Sequence, residues 1–145
     1  MNEHGFIKSV HRSLPTSLYA WKINDKFAGG VPDAFYAGPA GNLFVEYKFM
    51  KSLPKRDNTE LRLGLSPQQV LWLNKYHDMN HKVAVIVGCE NTALILTNKS
   101  WTKPLTRSYY LSNCVPRKEV AGWISKVCEQ DSSNEHKQQA GGRCG

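Results

Sequence analysis

Three residues that can bind a metal ion and activate water, Asp33, Glu46 and Lys48, lie within or beside two apolar segments of strand length. Residues 37–42 between the two segments are rich in Gly, Pro and Asn, so the segments are predicted to form a β-hairpin with Asp33 roughly opposite Glu46. Side chains alternate along a strand, which places Glu46 and Lys48 on one face and Tyr47 on the other. We therefore expect two carboxylates and an ammonium on one surface.

This combination suits phosphodiester hydrolysis. A carboxylate pair binds a hard cation such as Mg²⁺, which keeps several of its waters. Lys48 can orient or help to deprotonate one of these waters, while the metal polarises a phosphoryl oxygen and stabilises the leaving oxygen. The alternative is an ordinary hairpin in which Glu46 and Lys48 form a cross-strand or solvated pair.

The segment Gly-Val-Pro-Asp, which ends at Asp33, and the segment Phe-Val-Glu-Tyr-Lys, which ends at Lys48, resemble the signature of the PD-(D/E)XK nucleases. Their context is similar to the VRR-NUC branch, which in turn resembles the archaeal-type Holliday junction resolvases. The resemblance covers about residues 3–97. It implies an α/β fold with a restriction-endonuclease-like core, in which helices flank a mixed central sheet.

The same resemblance implies a Mg²⁺ site, with Mn²⁺ as a possible substitute, held by Asp33, Glu46 and the backbone carbonyl of Tyr47. It also implies a branched or nicked DNA substrate, a 5′-phosphate product and a homodimer that cuts two strands symmetrically. A free-standing nuclease of this size resembles a phage enzyme, which would act in the host cytoplasm.

Glu3 is the first of two further candidates for the active site. Residues 3–14 are predicted to form a helix, with Phe6, Ile7 and Val10 at helical spacing. In the nucleases that the chain resembles, a first helix often contributes a glutamate to the active site. In the alternative interpretation, Glu3 only complements the dipole of the helix from its first turn.

Gln69 is the second further candidate for the active site. Ser66 suits the N-cap of a helix and Pro67 its first position, so Gln69 falls where it completes a capping box. Capping alone explains this glutamine. However, the sequence also resembles the helix that follows Glu-X-Lys in VRR-NUC domains, whose glutamine reaches towards the active site.

The connection over residues 49–64 lacks an evident helix or strand, which is uncommon in a compact domain unless the segment has a function. We expect it to contact DNA phosphates, which would position the duplex without reading its sequence. The alternative is a solvated loop. The basic residues concerned are Lys51, Lys55, Arg56 and Arg62.

The remaining pattern predicts a strand at residues 18–23 beside the hairpin, a loop at 24–30 with Asp25 as a turn residue, a buried strand at 81–88 and a last strand at 93–97. Residues 98–113 are predicted to be irregular, with aromatic side chains that pack rather than bind nucleic acid. Residues 116–129 form an amphipathic helix in this prediction. One nuclease domain is therefore expected over residues 1–129, followed by a disordered polar tail over 130–145.

Composition limits the classes of function. The chain has 145 residues and a net charge of +7, which favours association with a polyanion such as DNA. No apolar segment approaches the length of a membrane span, and the start lacks a signal-peptide pattern, so we expect a cytoplasmic protein without a membrane partner. Four widely spaced cysteines favour free thiols over disulfides or a zinc site: Cys89, Cys114, Cys128 and Cys144.

The sequence therefore predicts a metal-dependent endodeoxyribonuclease, structure-specific and similar to Holliday junction resolvases. Two alternatives stay open: a nucleic-acid-binding module that keeps the fold without chemistry, and a nuclease of linear duplex. An interaction protein whose basic surface serves a protein partner fits the charge, but leaves Asp33, Glu46 and Lys48 unexplained.

Overall fold

A six-stranded sheet forms the centre of the structure, a computed structural model that describes residues 1–24 and 29–130. The strands lie in sequence order, with β3 and β4 parallel and all other neighbours antiparallel. The loop residue Asp25 and the predicted tail beyond Gln130, including Cys144, lie outside the described residues. The strands are β1 (Tyr19–Lys22), β2 (Ala34–Gly38), β3 (Gly41–Met50), β4 (Val83–Cys89), β5 (Thr92–Leu96) and β6 (Val115–Pro116).

The predicted hairpin is formed by β2 and β3. Ala34 pairs with Val45, and this register places Asp33, immediately before β2, beside Glu46. The pairing continues to Gly38 and Gly41, so the turn is shorter than the six residues expected from the sequence. Gly41 has a φ of 156°, a conformation that glycine adopts without strain, and this allows the tight reversal.

Helices cover both faces of the sheet. On one face α1 (Glu3–Arg12) and α4 (Val120–Glu129) pack against apolar side chains of β2 and β3. On the other face, α2 (Pro67–Asp78) and α3 (Arg107–Asn113) share a second cluster with β4 and β5. All seven residues of β4 are buried, as the continuous apolar run predicts for a strand covered on both faces.

The long connection after β3 begins two residues later than predicted, because β3 continues to Met50. In residues 51–66 the structure has no helix and no strand, apart from an isolated bridge between Glu60 and Thr106. The segment is nevertheless anchored, because Leu61 is buried and its N–H donates to the carbonyl of Leu105 at 2.7 Å. Its backbone is therefore held against the body of the protein.

Two predictions for the C-terminal third are wrong. Residues 98–113 are not irregular throughout, because they contain a 3₁₀ turn at Ser100–Thr102 and helix α3. The strand at Thr92–Leu96 is not the last one, because Val115–Pro116 adds a short edge strand beside it. Both elements are too short for a periodic pattern to reveal them. The expectation that the aromatic residues pack is confirmed for Trp101 and Tyr110, which are buried.

The cysteines within the described part of the chain, Cys89, Cys114 and Cys128, are buried free thiols, in agreement with the sequence-based expectation. Among residues 1–24 and 29–130, no helix is long and apolar enough to cross a bilayer.

Candidate active site

Asp33 and Glu46 lie together at the start of β2, where this strand pairs with β3. Oδ2 of Asp33 accepts a hydrogen bond of 2.9 Å from the backbone N–H of Tyr47, which fixes the orientation of this carboxyl group. Glu46 is 3% exposed and is the one charged residue among the fully buried side chains described. The predicted pair of carboxylates is therefore brought together by the register of one hairpin.

Burial of two adjacent carboxyl groups disfavours their ionised forms. Burial raises the pKa of Glu46, and the adjacent Asp33 raises it further, to about 8 despite the opposing effect of Lys48. Burial also raises the pKa of Asp33, against the lowering effects of the Tyr47 amide, of Lys48 and of a hydrogen bond with Glu46. Without a cation, the pair therefore favours retaining a proton near neutral pH.

Lys48 follows Glu46 on the same face of β3. Its Nζ lies 3.3 Å from Oε2 of Glu46, and the side chain is 17% exposed. Nζ also donates to the carbonyl of Gly64 at 3.4 Å, at the end of the long connection. The ammonium is thus held beside the carboxylates while one side of it stays open to solvent.

Gln69 makes the contacts expected in both interpretations of the sequence. Its Oε1 accepts from the N–H of Ser66 at 2.9 Å, while its own N–H donates to the Ser66 hydroxyl at 3.1 Å. This capping box confirms the predicted start of α2. At the same time Nε2 of Gln69 donates to Oε2 of Glu46 at 2.8 Å, so the helix start is joined directly to the carboxylate pair.

The second carboxyl oxygen of Glu46, Oε1, lacks a hydrogen-bond donor in the part of the chain that the structure describes. Oε1 is buried and accepts no hydrogen bond within the described residues, so only a proton shared with the Asp33 carboxyl group would give Glu46 a further partner. A buried carboxylate oxygen without a partner costs free energy, and a bound cation is one way to satisfy it. The pair of carboxyl groups, together with the Tyr47 carbonyl and water, is chemically suited to Mg²⁺, which usually keeps several waters. No group of three or more Asp, Glu, His or Cys side chains is close enough to hold a metal in residues 1–24 and 29–130.

Glu3 is the first residue of α1, and its carboxyl group is near the pair without a recorded contact to it. Partial burial raises the pKa of Glu3, and Asp33 raises it further, whereas Lys48 lowers it. Glu3 in turn contributes to the raised pKa of Glu46. Glu3 therefore occupies both the first turn of the helix and the electrostatic field of the site.

A buried chain of hydroxyl groups, which no sequence pattern predicts, supports β3 from the opposite face of the sheet. The Tyr47 hydroxyl lies 2.7 Å from that of Tyr36, which lies 2.6 Å from Nε2 of His11. Burial raises the pKa of Tyr47 and Tyr36, so both phenols stay neutral and can hydrogen-bond to each other. The chain ties together α1, β2 and the strand that carries Glu46.

The paired glycines before Asp33 approach the backbone of α2. A side chain at Gly29 would meet the amide group of Gln68 at 2.4 Å, and one at Gly30 would meet the Gln68 carbonyl at 2.4 Å. Gly30 also has a φ of 87°, which favours glycine. The two glycines therefore allow the chain before Asp33 to lie against the start of α2.

The four basic residues of the long connection are all exposed and form no ion pair with any described residue: Lys51, Lys55, Arg56 and Arg62. The hydrogen bond from Lys48 to Gly64 joins the end of this connection to the carboxylate pair. The end of this connection is therefore held beside the candidate site.

Comparisons with known proteins support the fold. No protein-family model matches the chain, and no curated protein does. Among solved structures, the chain is similar to the Holliday junction resolvase of Archaeoglobus fulgidus, an archaeal hyperthermophile, with a TM-score of 0.53 and 16% sequence identity. The match covers 83% of this chain and 97% of that one. The predicted α/β, restriction-endonuclease-like fold is therefore confirmed, with a mixed sheet and flanking helices.

Proposed function

We propose that this protein is a metal-dependent endonuclease that hydrolyses phosphodiester bonds of DNA. One observation carries the proposal: Asp33 and Glu46 are held together beside Lys48, and a buried oxygen of Glu46 accepts no hydrogen bond in the described residues. A purely structural hairpin gains nothing from this arrangement, because each buried charge lowers its stability.

Asp33, Glu46 and the backbone carbonyl of Tyr47 would hold Mg²⁺, and Mn²⁺ is a reasonable substitute. A bound metal would polarise a phosphoryl oxygen and stabilise the leaving oxygen. Lys48, beside Glu46 and partly open to solvent, would orient the attacking water through its N–H donors and stabilise the negative charge that develops as this water loses its proton to solvent. Gln69 would keep Glu46 in the orientation for binding, and Glu3 would add negative charge at the edge of the site.

For the substrate, we propose branched DNA similar to a four-way junction. The resemblance of the Asp33 and Glu46 segments to VRR-NUC domains supports this choice, as does the structural likeness to a Holliday junction resolvase. Lys51, Lys55, Arg56 and Arg62 would contact backbone phosphates. A homodimer would cut two strands symmetrically, and a phage-encoded enzyme would act in the host cytoplasm.

The test is cleavage of a labelled four-way junction and of a matched linear duplex, each with Mg²⁺ or with chelator. The proteins compared are the wild type, Lys48→Ala, and the exposed control Lys103→Ala. We expect Mg²⁺-dependent cutting of the junction that is lost in Lys48→Ala and kept in the control. Equal cutting of both substrates would retain the nuclease and reject junction specificity. Binding without cutting in Mg²⁺ and Mn²⁺ would overturn the enzymatic proposal in favour of a non-catalytic binding module.

A further inference from the structure

A cavity of about 460 Å³ lies beside the second half of α1, where β6 and the start of α4 meet the turn between β4 and β5. None of Asp33, Glu46, Lys48 or Gln69 lines it, so it is separate from the candidate active site. Its polar lining consists of three cations, two hydroxyl groups and one amide: Arg12, Arg117, Lys118, Ser9, Ser13 and Asn91.

The charge of this cavity is uncompensated. No Asp or Glu side chain lines it. Arg12, Arg117 and Lys118 form no ion pair with any carboxylate in the part of the chain that the structure describes. Cations gathered without acidic partners repel one another, and an anion between them would relieve this repulsion.

Arg117 is already fixed in position. Its backbone N–H donates to the carbonyl of Asn91 at 2.7 Å, and Nη1 of its guanidinium donates to the carbonyl of Glu90 at 3.2 Å and contacts the sulfur of Met1 at 2.8 Å. The other guanidinium nitrogens donate to no group in residues 1–24 and 29–130, so their donors are left for a ligand. A planar guanidinium with fixed orientation is suited to phosphate, which it can bind through two parallel hydrogen bonds.

We propose that this cavity binds a phosphate group. Its source is the backbone of the DNA that the active site cuts, and this choice of source rests on the proposed function. Arg12 follows Glu3 by nine residues in α1, about 13.5 Å along the helix at 1.5 Å per residue. This separation is close to the width of a DNA major groove, about 12 Å, so one duplex can reach both the start of α1, where Glu3 lies in the field of Asp33, and the cavity near its end.

The experiment has two arms, both with chelator so that no cleavage occurs. In the first, inorganic phosphate and then a deoxynucleoside monophosphate are titrated into the full chain, and amide chemical shifts are followed by NMR. In the second, the affinity for a four-way junction is measured at several salt concentrations for the wild type and for Arg12→Gln/Lys118→Gln. The matched control is Lys8→Gln/Lys103→Gln, which removes two exposed charges outside the cavity.

We expect phosphate to shift the amides of Ser9, Ser13, Asn91 and Lys118, and the cavity variant to lose these shifts. We also expect the slope of log affinity against log salt to fall by about 0.9 for each lost phosphate contact in the cavity variant, beyond the change in the control. Unchanged amide shifts with inorganic phosphate and with the deoxynucleoside monophosphate would overturn the proposal. Phosphate-dependent shifts together with junction affinity equal to that of the control would keep the phosphate site and make a free nucleotide its ligand. If the chain binds no DNA at all, the proposed function fails while the first arm still decides whether the cavity binds phosphate.

Discussion

Opposing effects act on the pKa of the Glu46 carboxyl group. Burial and the adjacent Asp33 raise its pKa, whereas Lys48 lowers it. The Gln69 amide satisfies one oxygen, and the other accepts no hydrogen bond in the described residues. The same features that make this residue unfavourable without a cation make it a suitable ligand, because a divalent ion would neutralise the charge that burial disfavours.

Replacing Glu46 with Gln should therefore stabilise the metal-free protein at alkaline pH. The pKa of Glu46 in the folded chain, about 8, lies above its ordinary value of 4.5, so the folded state binds the proton more tightly than the unfolded state. This contribution favours folding below about pH 4.5, is lost as the pH rises to about 8, and changes little above that value. We expect Glu46→Gln to exceed the wild type in free energy of unfolding by on the order of 2 kcal/mol at about pH 9, and by much less at about pH 5.

Urea denaturation with chelator at the two pH values measures this difference. Glu119→Gln, which changes an exposed glutamate at the start of α4, should leave the pH dependence of the wild type unchanged. Parallel pH profiles for Glu46→Gln and the wild type would show that the carboxyl group is not destabilised by burial.

Sequence-based prediction of single residues succeeds where a local pattern determines their position and fails where distant elements do. The period of two along a strand fixes Glu46 and Lys48 on one face, and the hairpin places Asp33 beside them. The hydroxyl chain from Tyr47 to His11 requires three elements to meet, so local patterns do not reveal it. Glu3 stays a prediction, because its position in the field of Asp33 does not establish a catalytic role.

At the scale of elements, the start of α2 serves the site as well as the helix. Ser66→Ala and Gln69→Ala each break the capping box, but only Gln69→Ala removes the hydrogen bond to Glu46. We expect both variants to lose about 1 kcal/mol of stability, because each removes a cap contact. Only Gln69→Ala should lose a further 10-fold to 100-fold, as an approximate range, in cation affinity or cleavage rate. Urea denaturation and Mg²⁺ titration of cleavage separate the two effects, and equal rates for the two variants would restrict Gln69 to capping.

The connection after β3 combines buried anchors with exposed charge. Lys55→Gln/Arg56→Gln should weaken binding of DNA and reduce the salt dependence by about 0.9 per lost contact, with little change in stability because both residues are exposed. The comparison is Leu61→Ala in the same connection, which should destabilise the fold by about 2–4 kcal/mol, because Leu61 is buried. Filter binding at several salt concentrations and urea denaturation give the two readouts. Unchanged DNA affinity in the charge variant would indicate a merely solvated loop.

Elements with strong local signals were predicted well, and short elements were not. The hairpin, α2 and the fully buried β4 each have a distinctive pattern of turn residues, caps or continuous apolar residues. Helix α3 has seven residues, and β6 has two residues that exist as a strand only because β5 lies beside them. Long-range pairing of this kind has no local sequence signal.

At the scale of the whole molecule, the net charge of +7 favours a polyanion, and the proposed symmetric cutting of two strands favours a homodimer. We predict a particle of twice the chain mass of 16.4 kDa in sedimentation equilibrium of the free protein, and two chains per junction when a DNA junction is added. Mixing the wild type with an excess of Lys48→Ala should then produce heterodimers with one competent site. On a supercoiled plasmid with an extruded cruciform, heterodimers should leave nicked circles where the wild type leaves linear DNA. A monomer that produces linear DNA in proportion to its wild-type fraction would exclude a dimer with paired sites.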